Sequence, residues 1–197
     1  MKKDTNKRDA ILMTATHLFQ LQGYHATGLN QIIEESGAPK GSLYYHFPNG
    51  KEEIAREAIK RMRELVLEKT TEDLNRGKTA IEAFKFHVNS IANMCDQNGS
   101  VEVEGLQISL IASETASTHE SLRIVCNETF AVWQELYANK LEQFGYDKQQ
   151  ARELGVTLNA LIEGGCMLAV TNKSSYPLRC ISNQITALLK QSKYVKG

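Results

Sequence analysis

The stretch SGAPKGSLYYHFPNGKEE, residues 36–53, crowds Lys40, Ser42, Tyr44, Tyr45 and His46 into a few positions between two turns. An ammonium, a hydroxyl, two phenols and an imidazole can hold phosphate oxygens through charge and hydrogen bonds. They can also meet base edges, where lysine addresses guanine and an aromatic ring meets a thymine methyl. No Ser-His-acid set or glycine-rich phosphate loop stands beside them, so the residues read as a binding surface and the chain as a non-enzyme. The other histidines, His17, His25, His87 and His119, are scattered without Cys, Asp or Glu at ligand spacing, which gives no metal site.

Such side chains need a scaffold that leaves one edge of a short helix free. From Thr5 to Gln22 the apolar positions Ile11, Ala15, Leu18 and Phe19 recur at three-and-four spacing and stop at Gly23, predicting a first amphipathic helix. Thr27 can cap a second helix, with Leu29, Ile32 and Ile33 inward and Gly37 ending it. Pro39 opens a third through Lys40 to His46, pinned by Leu43 and Phe47. Asn49 and Glu52 have capping-box spacing at the start of a long helix from about Gly50 to Leu74. Three short helices with a tight turn before the third match a helix-turn-helix, whose second member enters the major groove.

The composition agrees with a folded, soluble chain. Of 197 residues 42% are hydrophobic and 23% charged, values ordinary for globular proteins. The net charge is zero, but residues 1–51 carry six Lys or Arg against four acids and the remainder 17 against 19, an asymmetry with the right sign for an N-terminal DNA-facing module. Cys95, Cys126, Cys166 and Cys180 form no C-x-x-C pair and read as small core residues. The opening MKKDTNKRD lacks the apolar run of a secretory signal, and LNALIEGGCMLAV (158–170) is too short for a span, so no membrane and a cytoplasmic location are expected.

Helical periodicity continues near 81–95, 103–113, 119–144, 148–171 and 177–190, with turns at RGK, QNGS, FGYD and NKSSYP and no convincing strand or internal repeat. The fold class is all-α: an N-terminal helix-turn-helix module over 1–51 and a helical ligand-binding and dimerisation domain over 52–197, with the helix from about 50 to 74 as connector. The central helices mix Phe84, His87, Met94, Leu106, Ile108, Phe130, Trp133, Glu163 and Met167, suited to an apolar pocket with a few polar groups or to a plain core.

The stretch TGLNQIIEESGAPKGSLYYHFPNGKEEI resembles the DNA-binding signature of the TetR family of bacterial transcriptional regulators, over the first quarter to third of the chain. The resemblance implies phosphate contacts for Thr27, Tyr44, His46 and Lys51, and base-facing positions for Asn30, Lys40, Gly41, Ser42 and Tyr45. Pro-Asn-Gly between Phe47 and Lys51 is one residue longer than the commoner family spacing, which bears on where Lys51 reaches. That longer turn, LIEGG and the SSYPLRCISNQITALL ending are similar to the LmrA/YxaF branch. The resemblance further implies a homodimer paired through the two late helices, with Ala160, Gly164 and Gly165 permitting close approach. It implies a repressor on double-stranded operator DNA, released by a small apolar or aromatic effector, without a cofactor. A helical carrier or enzyme that binds no DNA, or a TetR-like activator, are the alternatives.

Overall fold

The computed structural model describes residues 2–97 and 108–191, and among them every regular element is an α-helix. These are α1 (Lys2–Ala26), α2 (Leu29–Ser36), α3 (Lys40–His46), α4 (Lys51–Leu74), α5 (Ala80–Gln97), α6 (Ile108–Thr115), α7 (Glu120–Gln143), α8 (Lys148–Asn172) and α9 (Tyr176–Gln191). All nine expected helices are present, most ends falling within a few residues of the periodic pattern. The start of α6 is the exception, because residues 98–107 lie outside the described part.

The chain forms two compact units whose limits are not at residue 51. Among the described residues the first holds those up to Leu65 together with 108–129; the second holds 66–97 and 130–191. α4 and α7 therefore each contribute to both, and α6 joins the N-terminal unit. The sequence pattern, which is local, had no means of showing that α6 packs on α1.

In the first unit Ile11, Ala15, Leu18 and Phe19 of α1 are buried with Ile32, Leu43 and Phe47, apolar positions the spacing singled out, and Ile54 of α4 is buried too. The start of α4 differs from the expected capping box. Glu53, not Glu52, reaches back to accept the Asn49 N–H at 2.9 Å, while Glu52 accepts a hydrogen bond from the Ser121 hydroxyl of α7.

In the second unit α9 packs against α5 and α8, around Phe84, Val88, Tyr137, Leu141, Leu158, Ile162, Cys166, Leu178 and Ile185. A Cβ on Gly165 would stand 2.5 Å from Ile181 Cδ1, so this glycine serves the α8–α9 crossing within the chain and not an approach between subunits. α8 is long and apolar enough to match a membrane span by composition, yet Leu158, Ile162 and Cys166 bury one face of it in this core. Its other face leaves Val156, Leu161, Met167 and Leu168 exposed. Cys126 and Cys166 are buried as expected, but Cys180 of α9 is exposed.

One polar feature of this core was not foreseen. Asp73, at the end of α4, is fully buried and takes the Nδ1–H of His87 on Oδ2 at 3.2 Å; Lys69 Nζ lies 3.3 Å from its other oxygen. The His87 Nε2 faces the Tyr137 hydroxyl at 3.0 Å. Burial raises the Asp73 pKa, but hydrogen bonds from His87, Ser90 and Lys69 outweigh it and hold the carboxyl below its ordinary range. Removing the carboxylate leaves its buried hydrogen-bond donors without an acceptor. Asp73→Ala should cost about 3 kcal/mol of stability at neutral pH. Because the folded-state pKa is depressed, the wild-type advantage should persist down to the ordinary aspartate value of 3.8 and fade below it, measured by urea unfolding across pH.

Candidate nucleic-acid interface

α2 and α3 are joined by a short turn in which Gly37 takes the left-handed conformation (φ 64°, ψ 10°) and donates its N–H to the Glu34 carbonyl. A side chain would strain that backbone, which accounts for the glycine. Ser36 tightens the turn, its hydroxyl donating to Ile33 O and accepting the Ala38 N–H, both at 3.3 Å. α3 follows with only seven residues, too few to persist alone. Leu43 and Phe47 are completely buried and hold it in place, and Arg8 of α1 lies over the Phe47 ring at 5.2 Å.

With that edge buried, the opposite edge is presented to solvent. Lys40, Gly41 and Tyr44 are exposed and Tyr45 is 74% exposed, far more than a packed tyrosine. Ser42 and His46 are half-buried beside them, with the His46 ring edge-on to Tyr45 at 5.0 Å. Asn30 is exposed in the first turn of α2. α2 begins at Gly28 without a side-chain cap, leaving backbone N–H groups of its first turn available for an anion. A lysine, two phenols, an imidazole, an amide and an uncapped helix start on one module make a surface for phosphates and base edges.

Two expected contacts are placed elsewhere. Thr27 does not cap α2. It is fully buried and donates its hydroxyl to Gly23 O at 2.7 Å, while Gln22 Nε2 donates to it at 3.3 Å. Its hydroxyl is removed from any phosphate because the chain must satisfy the carbonyl left open where α1 breaks. Lys51 likewise turns inward. Its Nζ donates to Tyr24 O and Thr27 O, each at 3.0 Å, and sits 4.2 Å above the Tyr24 ring. Burial pushes the ammonium's pKa down, against the opposing charge of Glu114.

The residues expected around a pocket divide as well. Phe84 meets the Tyr137 ring edge-on at 5.6 Å, and His87 joins the Asp73–Tyr137 network, giving these two a core role. Phe130 and Trp133 are edge-on at 5.9 Å. Trp133 is only 3% exposed, and its indole N–H finds no acceptor among the described residues. Glu163 is half-buried and near enough to Tyr137 that, after burial itself, its charge helps raise the phenol's pKa. Met94 packs against the core of the second unit, whereas Ile108 is buried in the first. Leu106 lies outside the described residues. Met167 is a correction: at 42% exposed it points away from the core, on the outer face of α8. Asp73, hydrogen-bonded to His87, carries polar chemistry that the sequence pattern did not show. Asp73 gives no local signal, since a carboxylate at the end of a charged helix reads as solvated.

The helix-turn-helix with its exposed α3 edge, followed by a larger helical unit, defines a DNA-binding transcriptional regulator. The family model for bacterial regulatory proteins of the TetR type matches residues 11–58, and that for the LmrA/YxaF-like C-terminal domain of transcriptional regulators matches 80–184. The chain is 45% identical to the uncharacterized regulator YxaF of Bacillus subtilis (strain 168) over 94% of this chain and 96% of that one. It is 44% identical to the regulator LmrA of the same organism, over 94% and 98%. A TetR regulator from Chloroflexus aurantiacus J-10-FL shares the fold, with a TM-score of 0.82, 24% identity and 98% of each chain covered. The chain belongs to the TetR family of transcriptional regulators, with an LmrA/YxaF-like C-terminal domain.

The exposed edge makes separable demands on variants. Lys40→Ala combined with Tyr45→Ala should weaken binding to a duplex selected from a random pool by about 100-fold, roughly 3 kcal/mol for two base-facing contacts, without changing the melting temperature. Thr27→Val should do the reverse. It should lower stability by about 1 kcal/mol through the stranded Gly23 carbonyl and leave sequence preference intact, as read by calorimetry and by reselection of the duplex.

Proposed function

We propose that the protein is a homodimeric repressor that binds a pseudo-palindromic operator in the bacterial cytoplasm and leaves it when a small aromatic molecule enters the second unit. The observation that carries the effector is Trp133. A buried indole N–H without an acceptor is costly, and it lies beside the Phe130 ring. A flat ring bearing a hydrogen-bond acceptor answers both needs.

Dimerisation is supported by the outer face of α8 and α9. Val156, Leu161, Met167 and Leu168 are exposed together, and a groove of about 370 Å³ lies beside Leu161, Cys180, Ile181, Gln184 and Leu188. Contiguous apolar surface of this kind marks an interaction site. A seven-residue recognition helix offers few base contacts, so two copies on two half-sites supply the affinity that one lacks.

Release is a population shift: the effector binds better to the arrangement whose recognition helices are misplaced for DNA. α4 is the covalent carrier of that change, a single helix from Lys51 in the first unit to Asp73 in the second.

Two measurements decide these points. Among planar aromatic compounds, those that quench Trp133 fluorescence should also weaken binding to the selected duplex; quenching with unchanged DNA affinity would leave a binder without a switch. Leu161→Arg with Leu168→Glu should yield a folded monomer by analytical ultracentrifugation, with DNA affinity at least about tenfold lower. A dimer persisting in that variant would place the interface elsewhere.

A further inference from the structure

The carbonyls that Lys51 engages belong to a break in the helix ladder. Gly23 leaves the helical conformation (φ 80°, ψ 179°), so the groups around it lose their intrahelical partners. Each finds a substitute inside the first unit. The Tyr24 N–H donates to Glu114 Oε2 of α6 at 2.5 Å, and the same carboxylate fills the space that a Cβ on Gly23 would need, 2.6 Å away. The Tyr24 carbonyl accepts from Lys51 and from the Thr27 N–H, and the Thr27 carbonyl accepts from Lys51 again. Rings close around the joint: His119 is edge-on to Tyr24 at 5.0 Å, and His25 Nε2 lies 3.1 Å from the Glu114 carbonyl oxygen.

We infer that Lys51 and Glu114 are the two halves of a clamp on the α1–α2 joint, and that Lys51 supports DNA binding by fixing the position of α2 and the recognition helix, not by touching a phosphate. Of the three donors on an ammonium, two are aimed at carbonyls, and the positive charge rests on the Tyr24 ring. A side chain held this way has lost the freedom to reach outward. Glu114 takes the N–H of the residue whose carbonyl Lys51 holds, so α6 and α4 both engage the joint, through charges of opposite sign. The hydrogen bonds of the clamp end on backbone groups of the joint, none of which reads a base, and this makes it indifferent to the DNA sequence. It governs where α2 points, and through the Gly37 turn where α3 points.

The two charges allow a test that separates positioning from contact. The probe is a duplex selected from a random pool by the wild-type protein, titrated with the full-length protein at several salt concentrations. Lys51→Met keeps the length of the side chain but removes its charge, and should bind about tenfold more weakly with the wild-type dependence of log K on log salt. A lost phosphate contact would instead flatten that slope by about 0.9. Glu114→Ala should also weaken binding, although deleting a negative charge from a DNA-binding unit favours DNA by electrostatics alone. Glu114→Gln, which keeps an acceptor for the Tyr24 N–H, should stay close to wild type. The double variant Lys51→Met with Glu114→Ala should lose less than the sum of the two, since both act on Tyr24. Amide exchange at Tyr24 in the DNA-free protein reads the clamp independently of Lys51→Met folding and should accelerate in Glu114→Ala. A flattened salt slope for Lys51→Met, tighter DNA binding by Glu114→Ala, or unchanged Tyr24 exchange would each overturn the clamp.

Discussion

A helix of seven residues has too few internal hydrogen bonds to hold itself together in water, so α3 exists only because Leu43 and Phe47 are buried beneath it. The DNA-facing edge depends on that burial. Because the two anchors lie on one side, Lys40, Tyr44 and Tyr45 emerge on the other. Because the anchors are few, the helix can be aimed only as well as the elements around it are fixed. Arg8 over the Phe47 ring, the tight turn at Gly37 and the polar joint at Tyr24 are all parts of that aim.

Backbone satisfaction explains most of what differs between expectation and structure. A chain that breaks a helix at Gly23 must find partners for the groups it exposes, and it recruits the polar side chains nearest to hand. Thr27 and Lys51 have types that suit phosphate contact, and their spacing matches a DNA-binding signature. Both are nonetheless committed to carbonyl oxygens of the α1–α2 joint. Residue type shows what a side chain is able to do, and competition among partners in three dimensions settles what it does.

The second unit has the same character. Its apolar residues follow from helical periodicity, but the Asp73–His87–Tyr137 network joins α4, α5 and α7 across sequence separations of 14 and 50 residues. No local pattern distinguishes Asp73 from the solvated acids on α4. Met167 and Gly165 show the same limit in reverse. Both lie on a helix with apolar residues on more than one side, and the spacing alone does not say which side faces the core; burial turns Gly165 toward α9 and leaves Met167 outside.

From the sequence alone came the all-α class, the helices of the described residues, the helix-turn-helix and the free edge of α3 that carries Lys40, Ser42, Tyr45 and His46. These rest on short-range physics: apolar residues three and four apart, glycine at a left-handed turn, and anchors four apart that leave the opposite edge free. Tertiary structure alone decided that α6 belongs with the N-terminal unit, that Glu114 and Lys51 meet at Tyr24, and that Asp73 is buried with its partners. Those outcomes depend on which distant groups arrive next to an unsatisfied polar atom. A donor or acceptor takes whatever partner the packing brings within about 3 Å, and sequence spacing carries no record of that.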